Sequence, residues 1–187
     1  GDPGTGTVTE DSALFEAADG SEGVYVFRTN DTAYSGGSGW SFWTLVGEDS
    51  RPFPGYSAAL VKTSGNSRAG YGIVFCHEGS GSAETMLVAM INVSGEYLVG
   101  EVVGAEFSAL VPWTSSGRLK TGYNQRNEVA VFLSDGAFSL WLNGESVETF
   151  EDEEPPLHTG GRCGFLAVVS PLDDFPGTPV RVTFEEL

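Results

Sequence analysis

Basic residues are scarce in this sequence. Nine Lys and Arg stand against 26 Asp and Glu, a formal net charge of −17. Such a surface repels phosphate backbones and anionic headgroups, which excludes nucleic acid as an expected partner. Histidine is reduced to His77 and His158 and cysteine to Cys76 and Cys163, and neither pair has the spacing of a zinc site or a redox motif. No apolar run approaches the ~20 residues that cross a bilayer as a helix, and no charged-then-apolar leader opens the chain. Nor is there a Gly-x-Ser-x-Gly elbow to mark a serine nucleophile.

Glycine and aromatic residues are plentiful instead, with 26 Gly, 12 Phe, 6 Tyr and 4 Trp, and the apolar share is an ordinary 40%. That composition belongs to a globular chain, and aromatics suit the pleated surface of strands. The length of 187 residues fits one domain with a full core. We expect a tether and lead-in over 1–20, beginning with the flexible Gly1 to Thr7, and a single domain over 21–187. Such a start suits a secreted protein, or a lipoprotein whose anchoring Cys has been cut away. The acidic excess serves solubility, or else draws Ca²⁺ to a carboxylate cluster through hard oxygen ligands. Calcium aside, no cofactor or metal is expected.

The strongest local signal lies between Gly122 and Gly144. Val129, Val131 and Leu133 alternate with Ala130, Phe132 and Ser134, and Phe138, Leu140 and Leu142 alternate with Ser139, Trp141 and Asn143. Each arm has the two-residue period of a strand. Asp135-Gly136 between them supplies the positive φ angles of a type I′ turn, and Asn143-Gly144 repeats the device, so Ser146 to Phe150 returns as a third strand.

The rest of the chain reads in the same way. Ser12 to Ala18 passes for a short helix, and Val24 to Arg28 is the first convincing strand. After the polar loop Asn30 to Gly39, Trp40 to Val46 alternates, Trp40 and Phe42 facing opposite Trp43 and Leu45. Tyr56 to Lys62 and Tyr71 to Cys76 follow. Met86 to Val93 is an almost continuous apolar run, as in a central strand covered on both faces. Ser94-Gly95-Glu96 turns it into Tyr97 to Val103. Beyond the acidic loop Glu151 to Pro156, Phe165 to Val169 and Val180 to Phe184 complete ten or eleven strands. Their short spacing predicts an all-β, two-sheet antiparallel jelly-roll sandwich.

Leu110-Val111-Pro112-Trp113-Thr114-Ser115-Ser116, Gly122, Asn127 to Val131 and Leu140-Trp141-Leu142-Asn143-Gly144 also carry a resemblance, extended by Gly70 to Phe75, Gly160 to Phe165 and Val180 to Leu187. Over roughly Tyr56 to Leu187 the chain is similar to bacterial members of the concanavalin A-like lectin/glucanase superfamily. In particular it resembles laminin G-like domains and the 3-keto-disaccharide hydrolase group. The resemblance implies that the last strand lies beside Val24 to Arg28. It further implies that one sheet curves so that its outer face forms a shallow concavity, where this superfamily most often places a carbohydrate. The sequence departs from the hydrolase pattern. Cys76 or His77 stands where that group has an Arg, and Met86-Leu87-Val88 where it has a Tyr-Glu pair. The closely spaced Glu-x-Asp-x-Glu strand of the glucanases is missing too. No catalytic residue is therefore carried over.

The expectation is a non-catalytic binding module, extracellular or of the cell envelope, that takes a glycan or cell-surface polymer. A carbohydrate-active hydrolase and an adhesion domain for a protein partner are the alternatives. Tyr71, His77, Glu101, Trp113 and Tyr123 are the candidate ligand-binding residues. Glu101 is either buried with a raised pKa, fit for acid catalysis, or on a wet face with Tyr97. His77 lies at a strand mouth as a proton carrier or in a surface loop. Trp113 stacks on a sugar or anchors its loop. Cys76 and Cys163 either bridge or remain two buried thiols.

Overall fold

A computed structural model describes residues 7–10, 12–34, 39–152, 157–175 and 177–187. Fourteen strands run through them: β1 (Thr7–Glu10), β2 (Phe15–Ala17), β3 (Val24–Thr29), β4 (Trp40–Ser50), β5 (Tyr56–Ser64), β6 (Tyr71–Glu78), β7 (Thr85–Ile91), β8 (Glu96–Val103), β9 (Glu106–Ser115), β10 (Asn127–Ser134), β11 (Ala137–Leu142), β12 (Glu145–Glu151), β13 (Gly161–Val169) and β14 (Val180–Glu186). Sheet 1 has the order β1-β4-β13-β6-β7-β8-β9 and sheet 2 the order β12-β11-β10-β5-β14-β3-β2. All pairings are antiparallel except β1 with β4. No described helix is long and apolar enough to cross a membrane.

The two Xaa-Gly turns form as their sequence dictates. Ser134 pairs with Ala137 and Leu142 with Glu145. Asp135 and Gly136 have φ of 52° and 80°, Asn143 and Gly144 of 51° and 84°, the signs a type I′ turn requires. β14 lies between β5 and β3, as the resemblance implies.

Three expectations are corrected. Ser12 to Ala18 is a 3₁₀ turn, Ser12–Leu14, followed by β2, because Phe15 is drawn into the core beside Phe27 and Phe184, at ring separations of 5.0 and 5.9 Å. The lead-in thus supplies β1 and β2 to the two sheets. Leu110 to Ser115, which the sequence pattern assigns to no strand, belongs to the ten-residue β9 and does precede a loop. The strands exceed the ten or eleven expected because β1, β2 and β9 are edge strands whose apolar pattern is short or interrupted. Gly1 to Gly6, the loop at 35–38 and residues 153–156 of the acidic loop lie outside the described residues.

The main core fills the space between the sheets. Phe42, Ile73, Phe75, Leu87, Val99 and Phe165 from sheet 1 meet Phe27, Leu60, Val129, Val131, Phe138, Leu140 and Phe184 from sheet 2. Offset and tilted pairs such as Phe165–Phe184, with centroids 4.8 Å apart, each add ~1 kcal/mol beyond area burial. A second cluster covers the other face of sheet 1 with Trp43, Val74, Met86, Val88, Met90, Leu98, Val102, Leu166 and Val168. Met86 to Ile91 is therefore covered on both faces, which explains its continuous apolar run.

Two glycines on this outer face stand where a side chain would clash with the adjacent strand. A Cβ on Gly164 would lie 1.8 Å from Thr44 O, and one on Gly72 would lie 1.9 Å from Ala89 O. Neighbouring backbones approach these two positions too closely to admit a side chain.

Candidate functional site

Four loops converge at one end of the sandwich, those joining β5 to β6, β7 to β8, β9 to β10 and β13 to β14. Gly122 N–H donates to Val93 O (3.0 Å), Asn124 N–H to Lys62 O (2.9 Å) and Val93 N–H to Ser67 O (3.0 Å). The β9–β10 loop is fixed from within by Asn127, which is buried. Its Oδ1 accepts from Lys120 N (2.8 Å) and Asn143 Nδ2 (2.8 Å), and its Nδ2 donates to Lys120 O (2.9 Å). Tyr123 is held on the far side of this loop, between two backbone hydrogen bonds, with its hydroxyl donating to Gly65 O.

These loops enclose an open pocket of about 350 Å³ lined by Tyr123, Asn66, Asp173, Asp174, Thr178 and Leu172, with Thr63, Ser64 and Gly65. Asp173 is its structural pin. Oδ1 accepts from Asn66 N–H and Oδ2 from Ser170 N–H at 2.6 Å, so the buried carboxylate ties the β5–β6 loop to the β13–β14 loop. Behind it lies Lys62, 1% exposed on the inward face of β5. Its Nζ donates to Asn66 O (2.7 Å) and Ala69 O (3.1 Å) and stands 5.7 Å from the centre of the Tyr71 ring. Burial lowers its pKa to about 8, while the Asp173 charge pulls in the other direction. The pocket thus offers an aromatic ring, an exposed carboxylate in Asp174, hydroxyls and amide groups on a firmly tied frame.

The five candidate residues do not form one site. Tyr71 is buried, packing into the main core beneath Lys62. Burial raises its hydroxyl pKa far above the ordinary tyrosine value. Trp113 packs against the outer-face cluster over Gly70, where a Cβ would lie 3.2 Å from Cη2. The residue is half-buried there. His77 sits at the opposite end of the molecule, its ring 4.8 Å from that of Trp43 and its Nε2 3.1 Å from Glu84 Oε1. Glu101 faces inward from β8 at that same end, on the other side of sheet 1, with His158 Nε2 2.8 Å from Oε1. Only Tyr123 lines the loop-end pocket.

Elsewhere, the outer face of sheet 1 is filled by apolar side chains, among which the Trp43 indole N–H is buried with no hydrogen-bond partner among the described residues. A shallow hollow of about 400 Å³ on the outer face of sheet 2 is lined by Phe132, Trp141, Leu187, Ala130, Ser57 and Glu128. Its one carboxylate, Glu128, is paired with Arg126. Cys76 and Cys163 are free and buried, so the second of their two alternatives holds.

No family model matches the sequence, and a search of curated proteins finds no relative. Solved structures do match over nearly the whole chain. The carbohydrate binding module CBM66 from Bacillus subtilis is 14% identical, with a TM-score of 0.57 over 97% of this chain and 95% of that one. A Bacillus licheniformis beta-glucanase is 8% identical, with a TM-score of 0.66 over 97% and 84%. A prokaryotic beta-1,3-1,4-glucanase (lichenase) derived from a mouse hindgut metagenome is 11% identical, with a TM-score of 0.62 over 100% and 88%. The fold is a concanavalin A-like jelly roll. At these identities the likeness is one of architecture, and concanavalin A-like sandwiches host binding modules and hydrolases alike.

Sequence reasoning missed Lys62, Asn66, Asp173 and Asp174. The Asp173-Asp174 pair between Pro171 and Gly177 reads locally as a polar turn. Its partner Asn66 is 107 positions away, so no local signal joins them.

Proposed function

We propose that the protein is a non-catalytic glycan-binding module that works outside the cell or in the envelope, and that the loop-end pocket holds the sugar. The observation that carries this reading is the placement of Tyr123. Its hydroxyl is fixed on Gly65 O, the residue remains 39% exposed, and the pocket it lines also contains Asp174, Asn66 and Thr178. An apolar ring beside a few convergent polar groups is what a sugar requires, because its C–H face needs a flat apolar surface and its hydroxyls need fixed partners. The fold shared with a carbohydrate binding module supports the same reading.

The pocket favours binding over hydrolysis. Glycoside hydrolysis takes two carboxyl groups, ~5–9.5 Å apart, with one free to give a proton and the other to attack or activate water. Of the two acids lining the pocket, Asp173 has both oxygens engaged by backbone N–H groups. That leaves Asp174 without a second working carboxylate among the described lining residues.

A broad glycan array, probed with wild type, Tyr123→Ala and Trp141→Ala, in Ca²⁺ and in chelator, tests the reading. A glycan lost in Tyr123→Ala and retained in Trp141→Ala is expected. Loss in Trp141→Ala alone would move the site to the outer face of sheet 2. No bound glycan in either condition would overturn the reading in favour of adhesion to a protein partner.

A further inference from the structure

The end of the sandwich opposite Tyr123 holds a second polar group. Inward-facing residues of β8 reach across to the edge of sheet 2 twice. Tyr97 OH donates to Glu148 Oε2 at 3.1 Å, and four residues on Glu101 meets the loop that leaves β12. His158 lies in that loop with its side chain fully buried, whereas the Glu101 side chain is 13% exposed. The His158 backbone N–H donates to Asp152 Oδ2. One donor atom from each of Glu101, Asp152 and His158 lies within 4.8 Å of the other two.

The histidine is not satisfied by this arrangement. With Nε2 directed at the Glu101 carboxylate, Nδ1 is buried with no hydrogen-bond partner among the described residues. The Glu101 and Asp152 carboxylates converge on one buried imidazole, an arrangement that a cation between the donor atoms would draw together.

The geometry points to a divalent transition-metal site at Glu101, Asp152 and His158, of the Zn²⁺ class. Two carboxylates and a neutral imidazole balance a charge of +2 and provide one nitrogen and two oxygen donors. An imidazole donor suits Zn²⁺, whereas Ca²⁺ and Mg²⁺ take oxygen ligands. Ligands at ~2.0–2.2 Å from a tetrahedral ion stand ~3.3–3.5 Å apart. His158 and Glu101, at 2.8 Å, need to open by about half an ångström, and Asp152 needs to close by at most about 1.5 Å. A bound ion would bridge β8 of sheet 1 to the β12–β13 loop that links the sheets. Fewer than four protein donors leaves a coordination position for water or another ligand. This site is independent of the loop-end pocket and of any glycan.

The test is calorimetric titration of the chelator-treated protein with Zn²⁺, alongside Glu101→Gln and Asp152→Asn. Both substitutions keep the hydrogen-bond acceptor for His158 and remove the charge. Wild type is expected to bind one equivalent and to melt at higher temperature with Zn²⁺ than in chelator. Each variant is expected to lose at least ~10-fold in affinity, the least that loss of an outer-shell partner costs, while melting like wild type in chelator. No uptake by wild type, or uptake unchanged in both variants, would overturn the site. Ca²⁺ competing as strongly as Zn²⁺ would overturn the assignment of metal class.

Discussion

The Lys62 ammonium and the Asp173 carboxylate are buried on either side of the β5–β6 loop, and both bond to the backbone of Asn66, the lysine to its carbonyl and the aspartate to its N–H. Together they hold the loop that accepts the Tyr123 hydroxyl at Gly65. The pair is a frame for the pocket rather than part of its exposed lining.

Lys62 gives stability a distinct pH dependence. Its folded pKa, lowered to about 8, lies below the ordinary lysine value of 10.5. Between these values the unfolded chain binds the proton and the folded chain does not, so stability gained from this group rises with pH across that window. The full difference is roughly 3 kcal/mol. Urea unfolding of wild type and Lys62→Met at intervals from pH 7 to 10.5 is expected to show wild type gaining by that order relative to the variant. A constant difference between the two would show that Lys62 is not the source.

In the pocket, Asp174→Asn is expected to weaken glycan binding by ~10-fold or more, since it removes a charge-assisted hydrogen bond worth ~1.5–3 kcal/mol. Its melting temperature should be unchanged, because Asp174 is exposed. Asp173→Asn should instead lower stability by ~1–3 kcal/mol, as a buried carboxylate that accepts two N–H bonds beside a buried ammonium is lost. Titration of the glycan by calorimetry, with thermal melts, separates the two effects.

The thiols are expected to be inert in the folded protein. Burial raises the Cys163 pKa to about 11 and pushes Cys76 higher still. Reaction needs the thiolate and access to it, and neither exists here. A thiol reagent at pH 8 should label neither residue natively and both in denaturant. Rapid native labelling would contradict the burial of β6 against β13.

Gly164→Ala should damage the fold. Its Cβ would lie 1.8 Å from Thr44 O, a clash with backbone in the neighbouring strand β4, so the sheet must shift, at a cost of ~1–3 kcal/mol or more. Gly117→Ala, where a Cβ meets nothing within 4 Å, is the control expected to melt like wild type. Thermal melts of the two variants decide the matter.

Much of the fold was legible because its determinants are local. Asp135-Gly136 and Asn143-Gly144 set their turns through backbone φ preferences, and two-residue alternation assigned Val129 to Val131 and Phe138 to Leu142 to the core. Phe15 was read as helical because three or four residues of an edge strand carry too few periods to distinguish the two patterns. The candidate residues fared differently. Tyr71 and Glu101 were correctly placed on strands, but alternation fixes a side chain's face and not its neighbours.

The sequence by itself determined the strands, the I′ turns, the acidic surface and the sandwich class, since each follows from spacing and composition within a few residues. Only the tertiary structure decided that Tyr123 stands beside Gly65 and Asp173, and that Glu101 meets His158. These partners are 58 and 57 positions apart for Tyr123–Gly65 and Glu101–His158. Their contact is set by the order of strands within two sheets, which is a property of how the whole core packs.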